Sequence, residues 1–575
     1  MAGKTLRQEG ARPMATVEKT PPADSGAEDS GKMRRDIGVV GLLFAGIGSI
    51  IGSGWLFGAL NAAQIAGPSA IFSWAIGMVM ILLIALCFAE LGAMFPVTGG
   101  VIRFPHLSFG SFASYTMGWI NWVAAATVAP IEVEGALQYA TKYADFTTPH
   151  KGTNGETVHT LTALGYVIAV LAMAFFVVVN YYGIRWFARV NNVAVWWKLA
   201  VIILVVFAFL ITEFHSSNFT SHGFAPSGTH GMLTAIATGG ITFSFLGFRQ
   251  GVELAGESNN PKRNVPIAVI GSVLITGVIY ILLQVAFLGA VDPKDLSKGW
   301  AGLQFANDFG PLAAIATLIG LGWLATILYI DAIISPADTG LVYTTVTGRI
   351  TYAMAKNGNA PKALGHTTHR GVPLISLIVT FFVGLIVFLP FPSWQQLVGF
   401  ITSATVLSFG SGPVVLAAMR RQIPDQERPF KLPLGDTIPF LGFFSSNLIV
   451  YWAGWDVNWK LFVTVALGFV LLGVLHLIGN DMPHLQWKAG ATWLLPWLGG
   501  LCLISYLGDY PQKSVGAGNT ATLTYGPDFL VILALTLLVY VLALMVRLPE
   551  EQVEENIEAT KAEAAEEERE LGAVP

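Results

Sequence analysis

Charge is what this 575-residue chain has least of: only 12% of its residues are Asp, Glu, Lys or Arg, about half the share of an ordinary soluble domain. With 54% apolar residues there is too little charge to solvate a surface of this size, which excludes a soluble globular fold. Cysteine is nearly absent. Cys87 and Cys502 both lie in apolar runs, which excludes a disulfide framework and reads as two small buried hydrophobes. Residues 1–36 lack an apolar h-region and are rich in Gly, Pro and charge, so a disordered tail is expected there rather than a signal peptide. Catalytic signatures are missing too. There is no Gly-x-x-x-x-Gly-Lys-Ser/Thr phosphate loop, no His-Glu-x-x-His zinc helix and no Gly-x-Ser-x-Gly elbow, so neither an enzyme nor a cofactor is expected. His215, His222 and His230 share one loop without metal-ligand spacing and read as solvated side chains. A net charge of −4 gives no sign of a nucleic-acid partner.

Long hydrophobic sequence, by contrast, recurs through most of the chain, as at 71–87, 163–179, 199–211, 267–290, 374–389 and 462–477. Crossing a bilayer takes about 20 such residues. An all-α integral membrane protein follows, with spans near 37–60, 68–94, 112–140, 160–182, 190–212, 232–255, 265–291, 312–347, 372–390, 394–420, 437–456, 459–478, 490–508 and 526–548. Fourteen spans put both termini on one side. The loops and tails of that side hold 24 Lys and Arg against six on the other, so both termini are expected in the cytoplasm. The segment 549–575 carries ten Glu against Lys561 and Arg569 and reads as an acidic cytoplasmic tail, best taken as a solvated helix.

Ionisable side chains within spans cost several kcal/mol at the least, and they mark functional sites by default. Here they are Glu132 and Glu134 in span 3, Lys198 in span 5, Arg249 and Glu253 in span 6, and Asp331 and Asp338 in span 8. Structural ion pairing is the alternative for any one of them. Two spans are also interrupted by glycine. Span 1 reads Gly46-Ile47-Gly48-Ser49-Ile50-Ile51-Gly52-Ser53-Gly54, and span 6 runs from Gly239-Gly240 through Gly247 to Arg249. Each interior glycine costs a helix about 1 kcal/mol relative to Ala. Such breaks five spans apart point to a transporter site within an inverted repeat. Unwound backbone presents N–H groups to a carboxylate and carbonyls to an ammonium, and an amino acid supplies both.

The motifs also carry a resemblance. Ile51-Gly52-Ser53-Gly54, the stretch from Phe88 to Pro96 followed by Gly99-Gly100, and Gly118-Trp119 with Trp122 come first. Then come Phe243 to Phe248, Ala255-Gly256-Glu257, Pro261 to Pro266, and Arg349 with Tyr352 to Gly358 and Pro361. In that order they resemble the amino acid–polyamine–organocation permeases over roughly residues 37–435. The resemblance implies the five-plus-five inverted repeat of the sodium-coupled leucine transporter. Residues 37–213 would form the first repeat and 232–421 the second, with peripheral spans over 437–548.

It also implies roles. Proton-dependent members carry a span 5 lysine where sodium-coupled relatives bind a cation, so Lys198 would bond span 1 carbonyls near Gly48–Ile51, with Glu132 and Asp338 as partners in coupling. A permanently charged structural lysine is the alternative. Several members have an acidic residue where this chain has Arg249. A guanidinium fork suits a carboxylate, as in the family's aspartate–proton symporters, and implies aspartate or glutamate as substrate. Pairing of Arg249 with Glu253 one turn on is the alternative. Gly52, Ser53 and Gly54 would receive the substrate α-carboxylate. Ile50, Phe243, Ser244 and Phe245 would line the ammonium side. Phe243 would gate the outer face and Tyr343 the inner. The expected protein is a proton-coupled amino-acid carrier of the cell membrane, working by alternating access. A neutral amino-acid permease, an exchanger, a channel and a transporter-like nutrient sensor are its rivals. The sequence leaves the oligomeric state open.

Overall fold

A computed structural model of the chain describes residues 37–97, 99–151, 157–182, 184–305, 309–356, 359–368, 372–391, 393–477, 485–510 and 522–572; the expected N-terminal tail lies outside them. The first span is two helices, α1 (Val39–Ile50) and α2 (Gly54–Ala66), separated by a break at 51–53. Then come α3 (Ala70–Met94), the short α4 (Gly100–Phe109), and a third span divided at Thr127 into α5 (Ser111–Ala126) and α6 (Val128–Ala140). An antiparallel hairpin of β1 (Thr147–Lys151) and β2 (Thr157–Leu161), with Pro149 opposite His159, precedes α7 (Ala163–Tyr182) and α8 (Ile184–Thr212). The sixth span is broken like the first. Helix α9 (Gly228–Thr238) is followed by a 3-10 segment, Phe243–Arg249, and by α10 (Gln250–Glu253), with a 45° bend across the break. Beyond lie α11 (Pro261–Ala290), α12 (Pro311–Leu318), α13 (Gly322–Lys356), α14 (Leu374–Val387), α15 (Trp394–Phe409) and α16 (Ser411–Gln422). The chain closes with α17 (Thr437–Trp452), α18 (Trp455–Leu477), α19 (Trp487–Leu507), α20 (Pro527–Val546) and α21 (Glu550–Gly572).

Among the described residues nine helices are long and apolar enough to cross a membrane, ten with the bent pair, and α1, α14 and α17 are shorter apolar helices. Helix occupies each of the fourteen stretches expected to span. Two boundaries differ. The first span runs on to Ala66. The eighth does not begin near 312: Gly320, at φ 81°, turns the chain between α12 and α13, and the span is the long α13.

Val167, Leu171, Phe175 and Val178 form an exposed apolar stripe along α7 at helical spacing. Such a stripe on a soluble protein would be a liability, whereas in a bilayer it is the lipid contact. Most of the α15–α16 pair is buried. The two breaks meet in the interior because Gly247 has no side chain: a Cβ there would fall inside the Ser49–Ile50 backbone. Gly240, at φ 88°, adopts the left-handed conformation that turns the chain out of α9.

At one end of the bundle Glu90 of α3, fully buried, accepts from Arg420 Nε at 3.0 Å and from the Leu432 N–H at 2.7 Å. At the same end Gln422 Nε2 donates to the carbonyls of Ser108 and Leu548, at 3.0 and 2.9 Å. Helix α21 is not wholly solvated as expected. Val553 and Ile557 are buried, and Asn556 Nδ2 donates to the His106 carbonyl of α4 at 3.3 Å.

Candidate functional site

Helix α2 begins in the middle of the protein, and its first N–H groups have no helical partner behind them. One has been taken up by a side chain. The Ser53 N–H donates to Glu132 Oε2 of α6 at 2.6 Å, and Ser53 Oγ accepts from Trp394 Nε1 at 2.8 Å. A Cβ on Gly52 would lie 2.6 Å from Glu132 Oε1, so only glycine leaves room for that carboxylate. On the other side of the break the Ile50 carbonyl accepts from the Tyr280 hydroxyl at 3.3 Å.

Lys198 sits below this break, fully buried. Its Nζ donates to the Gly48 carbonyl at 2.9 Å and to Thr339 Oγ1 at 3.2 Å, and lies 2.7 Å from Asp338 Oδ2. One ammonium thereby joins α1, α8 and α13. Burial of a charge is tolerable only with this degree of pairing and hydrogen bonding. Glu132, expected as a second partner of Lys198, instead reaches over to the Ser53 N–H.

The span 6 segment lies across α2. Ser244 Oγ donates to the Gly240 carbonyl at 2.8 Å, and both Ser244 and Phe243 abut Gly54. The Phe243 ring stands nearly perpendicular to Trp394, centroids 6.0 Å apart. Phe245 turns away and packs its ring against Trp74 and Tyr280, so only its backbone faces the break. Arg249 is 1% exposed. Its NH1 donates to Asn121 Oδ1 at 2.9 Å, and its NH2 lies 3.6 Å from Glu253 Oε1. The rings of Tyr343 and Phe409 flank the guanidinium, each centroid 5.9 Å from Cζ. Tyr343 thus packs against the arginine.

Ile50, Gly52, Ser53, Gly54, Phe243, Ser244, Glu132, Lys198, Asp338, Arg249 and Tyr343 are thus gathered around the paired breaks. Two other acidic residues are not part of this group. Asp331 accepts from Trp197 Nε1 at 2.9 Å and from Ser335 at 2.7 Å, a tie between α8 and α13. Glu134 is buried without a hydrogen bond to either oxygen, on the side of α6 toward Tyr166. Sequence reasoning missed Asn121, Thr339, Tyr280 and Trp394. Asn121, a lone amide in the apolar stretch of span 3, and Thr339, adjacent to Asp338, had a signal to offer. Trp394 had none, because aromatics are everywhere in this chain.

Two helices broken at mid-bundle, facing each other across a buried set of donors, acceptors and one paired ammonium, define a membrane carrier for a small polar solute. The comparison with known proteins is more particular. Residues 37–507 match the amino acid permease family model, and the chain belongs to that family. It is 37% identical over 523 residues to the glutamate/serine transporter AimA of Bacillus subtilis, an alignment covering 89% of this chain and 94% of the relative. It is 36% identical over 484 residues to the aspartate-proton symporter of the same organism, covering 84% and 91%. The branched-chain amino acid permease BcaP of Bacillus subtilis is 25% identical, covering 76% and 92%.

Proposed function

We propose that this permease imports an acidic amino acid, aspartate or glutamate, coupled to protons and by alternating access. The observation that carries the reading is Arg249: a guanidinium buried beside the two breaks, with Nε and NH2 lacking hydrogen-bond partners. It can receive a substrate side-chain carboxylate through its planar fork. The names of the two relatives above, one a glutamate/serine transporter and the other an aspartate-proton symporter, support it.

In this reading the N–H groups of Ser53 and Gly54 hold the substrate α-carboxylate, with Gly52 giving access. The carbonyls of Ile50, Phe243 and Ser244 hold the ammonium, and the Phe245 backbone keeps the segment open. Phe243 closes the outer side against Trp394, and Tyr343 the inner. Lys198, Asp338 and Glu132 form the coupling group. Residues 37–213 and 232–421 act as two inverted repeats that rock about the site, with 437–548 peripheral. The excess of Lys and Arg on one set of loops supports a plasma-membrane protein with both termini in the cytoplasm.

A second reading has its own observation. Arg249 already holds Asn121 and lies near Glu253, an arrangement that would also suit a neutral substrate such as serine. Uptake of labelled aspartate, glutamate, serine and leucine into proteoliposomes, with and without an inward proton gradient, decides between them. Aspartate or glutamate accumulation that needs both the gradient and Arg249 supports the first reading. Preference for a neutral amino acid, unchanged in Arg249→Ala, overturns it in favour of the second.

A further inference from the structure

We infer that Glu132 is the carrier's own substitute for the substrate α-carboxylate, and that the proton driving uptake is the one that discharges it. The inference rests on the proposed proton-coupled uptake of an amino acid, but not on which side chain that amino acid bears.

The start of α2 is an anion site by construction, with unpaired N–H groups and the positive end of the helix dipole. A carboxyl group is already there. Glu132 Oε2 lies 2.6 Å from the Ser53 nitrogen, and its two oxygens lie 2.6 and 2.9 Å from the point where a Gly52 side chain would begin. Its other oxygen, Oε1, has no hydrogen-bond partner although the residue is 1% exposed. A buried acceptor left half-satisfied costs about 1–3 kcal/mol. Glu132 therefore fills the break without being optimally held in it, as a displaceable occupant should.

The neighbouring charges leave this role to Glu132. Lys198 from α8 and Asp338 from α13 are within electrostatic reach, with the hydroxyls of Tyr280 from α11 and Tyr343 from α13. Lys198 is committed to Asp338 and to the Gly48 carbonyl, and Asp338 to Lys198. Helices α2, α14 and α15 bring no titratable side chain. Two carboxylates cannot share one small site while both are charged. The substrate α-carboxylate consequently binds only after Glu132 takes a proton from the outer solution. The neutral acid is a weaker acceptor, lets go of the Ser53 N–H and makes way. On the inner side the steps reverse: substrate leaves, the proton passes to the cytoplasmic water, and the carboxylate returns to the break. The empty carrier can then turn back with its anion site filled.

The test is calorimetric titration of the purified full-length protein with L-aspartate, L-glutamate and L-serine over roughly pH 5 to 8, alongside gradient-driven uptake in proteoliposomes. In buffers of different ionisation enthalpy, wild-type binding should take up about one proton per substrate at pH values where Glu132 is ionised, and affinity should rise about tenfold per unit fall in pH over that range. Glu132→Gln should bind with pH-independent affinity and no proton uptake, whereas Glu132→Asp, which keeps the acid, should retain the linkage. Proton uptake retained in Glu132→Gln overturns the role of Glu132 while gradient-driven uptake keeps the parent reading standing. Absence of proton uptake in the wild type overturns the inference even if neither variant folds. Absence of gradient-driven uptake of all three substrates overturns both.

Discussion

Arg249 of the sixth span and Asn121 of the third are joined by a 2.9 Å hydrogen bond with both side chains buried. The amide fixes one arm of the guanidinium and leaves Nε and NH2 without hydrogen bonds. The arginine is thus oriented by Asn121 and by Glu253, 3.6 Å from NH2, with hydrogen-bonding capacity left over.

Arg249→Ala should therefore lower kcat/KM for an acidic substrate by about 30- to 1000-fold, the equivalent of 2–4 kcal/mol for one member of a buried charged pair. Transport of serine should fall much less. Asn121→Ala should lower the acidic rate by about tenfold or more through loss of a hydrogen bond to a charged group. Initial rates for both substrates in proteoliposomes check the pattern, and equal losses for serine and aspartate would refute it.

Lys198→Met should destabilise the protein by about 3–5 kcal/mol, because it strands the Asp338 carboxylate in a dry interior. Lys198→Met combined with Asp338→Asn should recover a large part of that loss. A double-mutant cycle on the detergent-solubilised protein gives the coupling energy, which should be well above 0.5 kcal/mol for groups in contact.

Gly247→Ala should separate the two broken spans, since its Cβ would fall inside the Ser49–Ile50 backbone. We expect lost transport and a lower Tm. Gly473→Ala on α18, where a Cβ would meet nothing within 4 Å, should leave transport intact and stabilise by up to about 1 kcal/mol. Tm and uptake of the two variants side by side give the comparison.

Val553→Asp should detach α21 from α4 by placing a charge where a buried methyl pair now packs. Limited proteolysis should then cut within 550–572 about tenfold faster than in the wild type, because cleavage follows the population of the undocked form. Unchanged cleavage would mean that Ile557 and Asn556 hold the helix without it.

The parts of the site legible in the sequence are those whose chemistry is costly in a membrane. Lys198, Asp338 and Arg249 stand out because a charge in an apolar span must be held by something, and the glycine runs stand out because they weaken a helix. What the sequence withholds is adjacency. Trp394 bonds Ser53 across 341 residues of chain, and no local pattern announces it. Glu132 was visible as an intramembrane acid, yet its partner is a backbone N–H, which has no signature at all. The start of the eighth span is illegible in the sequence for a related reason. Hydropathy runs smoothly from α12 into α13, and only the left-handed turn at Gly320 divides them.

The place between Gly48, Thr339 and Asp338 is filled by an ammonium on a four-carbon tether. A dissolved ion occupies such a place according to its concentration, but a tethered one has an effective concentration fixed by the chain itself. Dilution cannot remove it, and competing salts gain little against it. On the coupling role proposed for Lys198, uptake should then be as fast without sodium as with it, at any ionic strength.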